Sequence, residues 1–347
     1  MGNVIRIAVI HSMKMMQVSK DDIAQFINDM IIDPRRKAIK WSRITKQTAH
    51  LKVGYSGQHL ASLVTGVEGE GTGARGNDLA DGSEVKTCSR VDQLDSCNSC
   101  KSPVLRTETK CKRCNSTDIN RKNDSKWLFT IKNEDDLNTL VNNPNVNRIV
   151  LVLDDYPGFA ESNFNDIRIQ VFEIYPKEER HSRFKELMTN YYHSIYLEHK
   201  KLDQNKTPAP KNFWPDQYQF YMCNPILIFK ATILNTDSDD PRLVIERWIE
   251  PNVNRNEVES IIMPSEIPNM EEFRTIYRKA SKEEIEENLL LGATYETFKE
   301  YMETGKDIGS IRKLFKGIGE NPRRYLELRN TDRIAVSGSK YKRRTTV

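Results

Sequence analysis

The stretch GTGARGNDLADGSEVKTCSRVDQLDSCNSCKSPVLRTETKCKRC, residues 71–114, combines two groups of metal-binding side chains in one short segment. The first group is a set of acids that ends in Glu84-Val85-Lys86, and the second is a pair of Cys-x-x-Cys motifs. Carboxylates bind hard cations such as Mg²⁺, whereas thiolates bind Zn²⁺. The segment therefore predicts two metal sites of different kinds in adjacent positions.

The second group has the spacing C-x2-C-x10-C-x2-C and consists of Cys97, Cys100, Cys111 and Cys114. Two residues between the cysteines of each motif allow both sulfur atoms to face one ion, and Zn²⁺ takes four such ligands in a tetrahedron. Four thiolates leave no open coordination position, so we predict a structural zinc ribbon. Paired motifs in a chain that starts without a signal-peptide pattern indicate the reducing cytoplasm.

The first group offers a face for a catalytic cation. Glu84 and Lys86 are two residues apart on a predicted strand, so their side chains share one face. The partner acid is Asp78 or Asp81. Asp81-Gly82 suits the turn of a hairpin, and a three-residue turn would bring Asp78 onto the face of Glu84, whereas a two-residue turn would not. We predict Asp78 as the partner, and the choice depends on that turn.

This combination of acids and a lysine suits phosphodiester hydrolysis. A phosphodiester repels an attacking hydroxide, and Mg²⁺ neutralises the phosphate and lowers the pKa of a bound water. We predict that Asp78 and Glu84 hold Mg²⁺ and that Lys86 orients the water and offsets charge on the phosphate. The catalytic prediction is therefore Asp78, Glu84 and Lys86.

The remaining sequence predicts an α/β fold in four parts. Helices are expected near 20–32 and 57–66, followed by a hairpin of 77–80 and 84–88, strands near 127–131, 148–153, 167–175 and 225–234, and a long helix over 179–200. The predicted parts are N-terminal helices with the start of the core, a zinc-ribbon insert, the remainder of the core, and a helical region for DNA binding or dimerisation (1–93, 94–122, 123–235 and 236–347).

Composition excludes some classes of protein. The chain has 347 residues, with 37% hydrophobic and 29% charged residues and a net charge of +4. The longest purely apolar run, Ile149–Leu153, is far too short to span a bilayer, so we expect no membrane segment. A net charge this small is compatible with DNA binding but does not require it, because a clustered basic face is what matters.

The acid cluster resembles the active site of the PD-(D/E)xK nuclease superfamily, although Asn77 stands where that motif usually has proline. More narrowly, several stretches between about residues 40 and 235, among them WSRITKQTAHLKVGYSGQHLASLVTG (41–66) and TPAPKNFWPDQYQFYMCNP (207–225), resemble MamI-type type II restriction endonucleases. The resemblance implies a PD-(D/E)xK core and Mg²⁺-dependent double-strand cleavage of DNA at a short palindromic sequence. A homodimer would place one active site on each strand of the DNA.

Several polar residues near these motifs are candidates for DNA contact, namely Arg75, Arg90, Gln93 and Arg113. The basic stretch Arg35, Arg36, Lys37 and Lys40 fits either phosphate contact or a solvated face. Two rival functions remain open at this point. A zinc-ribbon DNA-binding regulator would bind without cleaving, and a DNA repair nuclease would share the chemistry but nick one strand.

Overall fold

The structure is a computed structural model that describes residues 15–50, 53–71, 78–144, 146–205 and 207–330. Ten strands are found in these ranges: β1 (Glu84–Ser89), β2 (Asp95–Cys97), β3 (Pro103–Val104), β4 (Ile119–Asn120), β5 (Trp127–Phe129), β6 (Ile149–Asp155), β7 (Ile167–Ile174), β8 (Lys211–Phe213), β9 (Ile226–Leu234) and β10 (Arg242–Trp248).

Twelve α-helices are found in the same ranges: α1 (Lys20–Ile27), α2 (Asp33–Thr45), α3 (Gly54–Thr65), α4 (Glu134–Val141), α5 (Ser182–Tyr191), α6 (Leu197–Leu202), α7 (Tyr218–Met222), α8 (Met270–Lys279), α9 (Lys282–Glu286), α10 (Tyr295–Glu303), α11 (Ile308–Arg312) and α12 (Glu320–Arg323). Two π-helical segments, Asn28–Ile32 and Tyr192–Tyr196, join α1 to α2 and α5 to α6.

The centre of the molecule is a mixed five-stranded sheet in the order β1-β6-β7-β9-β10. Strand β1 is parallel to β6, and the other neighbouring pairs are antiparallel. Strand β6 is buried along its whole length, and its first five residues, Ile149–Leu153, form a continuous apolar run rather than an alternating pattern. The predicted α/β class is therefore confirmed, and β1, which carries Glu84 and Lys86, lies at one end of the strand order.

Helices cover both faces of this sheet. On one face, α1 and α3 pack on Val85, Val150 and Val152. On the other face, Leu151 and its neighbours pack against α5, the β5–β8 pair and the C-terminal helices, which contribute Phe273 to the same core. The C-terminal region thus shares a hydrophobic core with the sheet.

Three local features differ from the sequence prediction. The predicted hairpin is absent, because residues 78–80 do not form a strand beside β1. Residues 79–82 form a turn closed by a hydrogen bond from Gly82 N to Leu79 O, and the strand that pairs with β1 is β6. The first helix continues through the basic stretch, and its π-helical segment adds a residue to one turn. Helical spacing predicts that Met30 lies on the buried face with Ile23, Phe26 and Ile27, but the added residue shifts this apolar stripe, and Met30 is exposed. Strand β10 completes the sheet within a segment that the sequence assigned to the helical C-terminal part.

Candidate active site and zinc centre

The beginning of β1 brings Asp78 to the backbone beside Glu84. Glu84 N donates to Arg148 O at 3.0 Å. In a parallel pair the peptide groups of a strand alternate in direction, so the next N–H, that of Val85, points away from β6. Asp78 accepts this hydrogen bond through Oδ2 at 2.7 Å. The carboxylate of Asp78 therefore lies at the outer edge of β1, next to Glu84.

Helix α3 holds the same carboxylate from a second direction. Gln58 Nε2 donates to Asp78 Oδ1 at 2.5 Å. This approach depends on Gly57, because a Cβ at that position would lie 2.1 Å from Cγ2 of Thr87 on β1. Sequence reasoning found no carboxylate on this helix and missed the role of Gln58. The glycine before it was the available signal, since glycine permits a helix to approach a strand closely.

Glu84 and Lys86 occupy one face of β1, as their spacing predicts, while Val85 points into the core beneath α3. The two side chains form an ion pair, and each remains 28% exposed. Both are therefore accessible from solvent. The edge of β1 thus presents a carboxylate and an ammonium group on one face, with a second carboxylate bonded to the backbone between them.

Asp81 has different partners from Asp78. Its Oδ1 accepts from Ser83 N at 2.9 Å within the turn, and its Oδ2 pairs with Arg148 at 3.1 Å. Arg148 also pairs with Glu173 at 2.9 Å, and Glu173 is fully buried. These contacts tie the turn to the sheet. Glu173 belongs to this internal network.

The four cysteines converge as the zinc prediction requires. Their sulfur atoms all lie within 4.8 Å of one another, and the pairs Cys97–Cys114 and Cys100–Cys111 are 3.5 Å apart. Tetrahedral thiolates around Zn²⁺ would be separated by roughly 3.8 Å, given Zn–S bonds of about 2.3 Å. The donor set and its spacing therefore fit one zinc ion.

The two Cys-x-x-Cys motifs adopt the same backbone turn. Cys97 N donates to Ser102 O and Lys101 N to Cys97 O, and Cys111 and Asn115 repeat this pattern in the second motif. The fifth residue of each turn is left-handed, with φ of 59° at Lys101 and 58° at Asn115. Strands β3, β2 and β4 form a three-stranded antiparallel sheet around the site.

Hydrogen bonds to two of the four thiol groups, those of Cys97 and Cys100, favour the thiolate form that binds a metal. Bonds from the side chain and the backbone of Ser102 lower the pKa of Cys100 to about 6. The backbone N–H of Cys100 lowers the pKa of Cys97 in the same way. Thiolates are the ligands that zinc takes, so the first turn favours binding through Cys97 and Cys100. In the second turn the backbone of Ser116 lowers the pKa of Cys114, but hydrogen bonds with the thiols of Cys100 and Cys97 raise it overall, to about 12.

The four predicted DNA-contact residues lie in different environments. Arg75 is outside the described residues. Arg90 is buried and pairs with Asp216 at 3.0 Å, so a phosphate contact would require this pair to open. Gln93 bonds to Ser125 at the base of the insert. Arg113 is exposed on the second cysteine turn.

Comparison with known proteins identifies the family. The family model described as "MamI restriction endonuclease" matches residues 40–266, which is more than half of the 347 residues. The chain belongs to the MamI restriction endonuclease family. The matched range begins inside α2, includes the sheet and the four-cysteine cluster, and ends before α8.

Type II restriction enzyme MamI of Microbacterium ammoniaphilum is 43% identical to the chain over 56 residues. This alignment covers 16% of the chain and 18% of that enzyme, so it spans less than a fifth of either protein. No solved structure matches the chain. Among the described residues of this MamI-family protein, no helix is long and apolar enough to cross a membrane.

Proposed function

We propose that this protein is a type II restriction endonuclease that hydrolyses phosphodiester bonds of double-stranded DNA at a short palindromic sequence. The observation that carries the proposal is the edge of β1, where Asp78, Glu84 and Lys86 meet on an accessible surface. Membership in the restriction endonuclease family supports the same reaction. The β1–β6–β7 sheet with α3 against it would then be the PD-(D/E)xK core.

The donor set at this edge fits Mg²⁺. Hard cations take oxygen ligands, and each carboxylate oxygen carries two lone pairs. Asp78 therefore keeps acceptor capacity after it receives the bonds from Gln58 and Val85. Mg²⁺ held by Asp78 and Glu84 would supply charge neutralisation at the phosphate and a bound water of lowered pKa.

The protein's own residues would hold and orient the reactants. Gln58 and the Val85 N–H fix the rotamer of Asp78, so its carboxylate is in place before substrate binds. Lys86 neutralises Glu84 in the free protein. With DNA bound, its ammonium would turn toward the phosphate, where it would hold the attacking water and stabilise the negative charge that develops.

The zinc ribbon would have a structural role in this enzyme. Four thiolates would close the coordination sphere of Zn²⁺, and the metal would contribute on the order of 10 kcal/mol to ordering the insert. Thiolates that bind zinc suit the reducing cytoplasm. Cleavage of both strands would come from a homodimer whose two-fold axis coincides with that of the palindromic site.

Digestion of plasmid DNA tests the proposal. Wild-type protein with Mg²⁺ should give discrete double-strand fragments. Glu84→Ala and Lys86→Ala should each lose activity by about 10²-fold or more, because each removes a group that acts on the reacting phosphate. The exposed residues Lys132 and Glu134, which follow the zinc ribbon in the chain, provide matched controls, and Lys132→Ala and Glu134→Ala should cleave normally.

Three outcomes would contradict this function. Fragments that persist undiminished in Glu84→Ala and Lys86→Ala would exclude the proposed site. Binding to a specific duplex without cleavage by any divalent cation would indicate a DNA-binding regulator. Nicked circles that never become linear would indicate a single-strand nuclease of the repair type.

A further inference from the structure

Helix α2 and the segment after it form an unusually basic surface. Helix α2 has one acid, Asp33 at its first position, and six lysines and arginines follow in α2 and just after it: Arg35, Arg36, Lys37, Lys40, Arg43 and Lys46. Helix α8, in contrast, carries both signs, and its Glu271 pairs with Arg274 and Arg278. A helix surface dominated by positive charge is suited to an anionic partner.

Only part of this charge is used inside the protein. Arg35 is buried and bonds to Asp92 at 2.8 and 3.2 Å and to Asp237 at 2.8 Å. In contrast, Lys37, Lys40 and Arg43 are exposed, and none of them pairs with a carboxylate in the described part of the chain. The sequence left open whether the stretch touches phosphates. In the structure, Arg35 anchors the helix, whereas the other three side chains are exposed and could bind phosphates.

Two large apolar side chains lie on the same exposed helix. Trp41 is 59% exposed and Ile44 is 62% exposed. They are one turn apart, so they neighbour each other on the helix surface. On duplex DNA the ring of Trp41 is suited to contact with the sugars, while the neighbouring cations contact phosphates.

A buried network fixes α2 to the end of the catalytic strand. Asp92, three residues after β1, accepts both bonds from Arg35 and one from Tyr156 Oη at 2.6 Å. Thr48, just after α2, donates to Asp92 O at 3.1 Å. The position of α2 is therefore set by the same segment that leads from β1 into the zinc ribbon.

The zinc ribbon is attached to this network through arginines. Arg106 of the ribbon, which is almost fully buried, pairs with Asp95 at 3.0 Å. Its guanidinium lies over the ring of Tyr156 at 5.5 Å and over that of Phe164 at 4.8 Å. Arg121 adds a second bond to Asp95 at 2.8 Å. Both ion pairs of Asp95 lie within the ribbon, so the ribbon is joined to this network by the contact of Arg106 with Tyr156, whose hydroxyl donates to Asp92.

The end of α2 also lies within electrostatic range of the ribbon. Partial burial acts to raise the pKa of Glu108, but the hydrogen bond from Lys112 and the charges of Lys112 and Lys46 lower it overall. Lys46 follows α2, whereas Glu108 and Lys112 belong to the ribbon. The ribbon adds exposed cations of its own, Lys110 and Arg113, and also Lys112, which pairs with Glu108 at 2.5 Å.

We propose that Lys37, Lys40, Trp41 and Arg43 of α2, together with the exposed cations of the ribbon, form one surface that binds the phosphate backbone of duplex DNA. The inference rests on the proposed nuclease function and names the surface that would hold its substrate. Strand β1 extends about 17 Å from Glu84 to Ser89, at about 3.3 Å per residue, and α2 is bonded to Asp92 beyond that end. The contacts would therefore fall several base pairs from the cleaved bond.

Fluorescence anisotropy tests the proposal. It measures how the protein binds a fluorescein-labelled pool of random-sequence duplexes at several salt concentrations. The buffer contains no added divalent cation, so no cleavage occurs, and no chelator, so zinc remains. The triple variant Lys37→Ala, Lys40→Ala, Arg43→Ala is compared with Lys185→Ala, Lys279→Ala, Lys313→Ala, which removes three exposed positive charges elsewhere.

The α2 variant should bind on the order of 10²-fold more weakly near 0.1 M salt, and its slope of log K against log salt should fall by about 2–3. The control variant should match wild type. If the two triple variants bound DNA with equal affinity and equal salt dependence, the proposal would be overturned. Plasmid cleavage by wild type would still support the nuclease function in that case. Failure of wild type itself to bind any duplex would instead remove the nuclease function.

Two further measurements separate a loss of DNA contact from a change in fold or assembly. Trp41→Phe should keep the fold and abolish the DNA-induced change in tryptophan fluorescence, which wild type should show. Sedimentation of the α2 variant should give the same oligomeric state as wild type. A change from dimer to monomer that accompanies the loss of binding would overturn the proposal, because α2 would then be a contact between two copies of the chain.

Discussion

The zinc ribbon and the edge of β1 are neighbours in the chain, yet they are built in opposite ways. The ribbon takes all its candidate ligands from two copies of one backbone turn within residues 97–116. The edge of β1 takes its groups from a turn, a strand and a helix, and the contact from Gln58 to Asp78 joins residues twenty positions apart. A site whose ligands all come from one short segment can be predicted from local sequence. A site whose groups come from a turn, a strand and a helix depends on how the whole sheet packs.

The largest effect should follow from removal of the buried ribbon ligands. Cys97→Ser with Cys111→Ser should reduce the zinc content from one ion per chain to near zero and unfold the ribbon, because the metal contributes on the order of 10 kcal/mol. Metal analysis and limited proteolysis measure this. Cys88→Ala, which changes a buried cysteine outside the cluster, should keep the zinc. Full zinc content in the double variant would refute the tetrathiolate site.

The two acids of the turn should separate by function. Asp78→Asn should reduce plasmid cleavage by about 10²–10³-fold, since it removes a ligand charge from the reactive edge. Asp81→Asn should retain cleavage but lower the melting temperature, because it weakens the pair with Arg148. Rates of cleavage and thermal unfolding of both variants measure the contrast. If Asp81→Asn lost cleavage and Asp78→Asn lost only stability, Asp81 would be the acid that acts with Glu84.

A third carboxyl, Asp154, contrasts with the accessible acids of β1 because it is buried. It pairs in register with Ser89 at the far end of β1, and its Oδ1 has no hydrogen-bond partner in the part of the chain that is described. Burial, assisted by the charge of Asp155, raises its pKa from 3.8 to about 7. Since the folded-state pKa is the higher one, its contribution to stability is full below about pH 4 and is lost as the pH rises through 7.

The free energy of unfolding should therefore fall by about 3 kcal/mol between about pH 5 and pH 8 through this one group. Urea denaturation of wild type and Asp154→Asn across that range measures the difference, and the variant should be relatively more stable at the higher pH. Equal pH dependence in the two proteins would show that Asp154 ionises normally in the fold.

The smallest effect should come from the glycine that lets α3 approach β1. Gly57→Ala should cost about 1–3 kcal/mol of stability, because its Cβ would meet Thr87. The displacement of α3 should also lower cleavage through Gln58. Gly54→Ala on the same helix is a control for the substitution to alanine, because a Cβ at that position would meet nothing within 4 Å. Unchanged stability and activity of Gly57→Ala would show that this close contact does not position Asp78.

The contrast between the two regions also explains how far the sequence could be interpreted. Cysteine spacing predicted the cluster at Cys97–Cys114 because the ligands are local and the turns repeat. Apolar patterns predicted α3 and the buried strand β6. These features depend on neighbours a few residues away.

Features that depend on distant residues were missed. The partner of β1 is β6, more than sixty positions along the chain, so local turn chemistry suggested a hairpin instead. The π-helical segment at Asn28–Ile32 changed the register of the apolar stripe without a visible break in the pattern. The choice between Asp78 and Asp81 was framed as a question of turn length. In the structure the two acids differ in their partners, Val85 and Gln58 for one and Arg148 for the other.

The central claim is that two metals have separate roles, with zinc closed in the ribbon and Mg²⁺ acting at the edge of β1. Its most direct test is plasmid cleavage as a function of added Mg²⁺ by protein whose zinc content has been measured in the same sample. We expect one zinc ion per chain, no cleavage without Mg²⁺, and double-strand cleavage once Mg²⁺ is added. Cleavage by the zinc-loaded protein without Mg²⁺, or Mg²⁺-dependent cleavage by protein that contains no zinc, would contradict the claim.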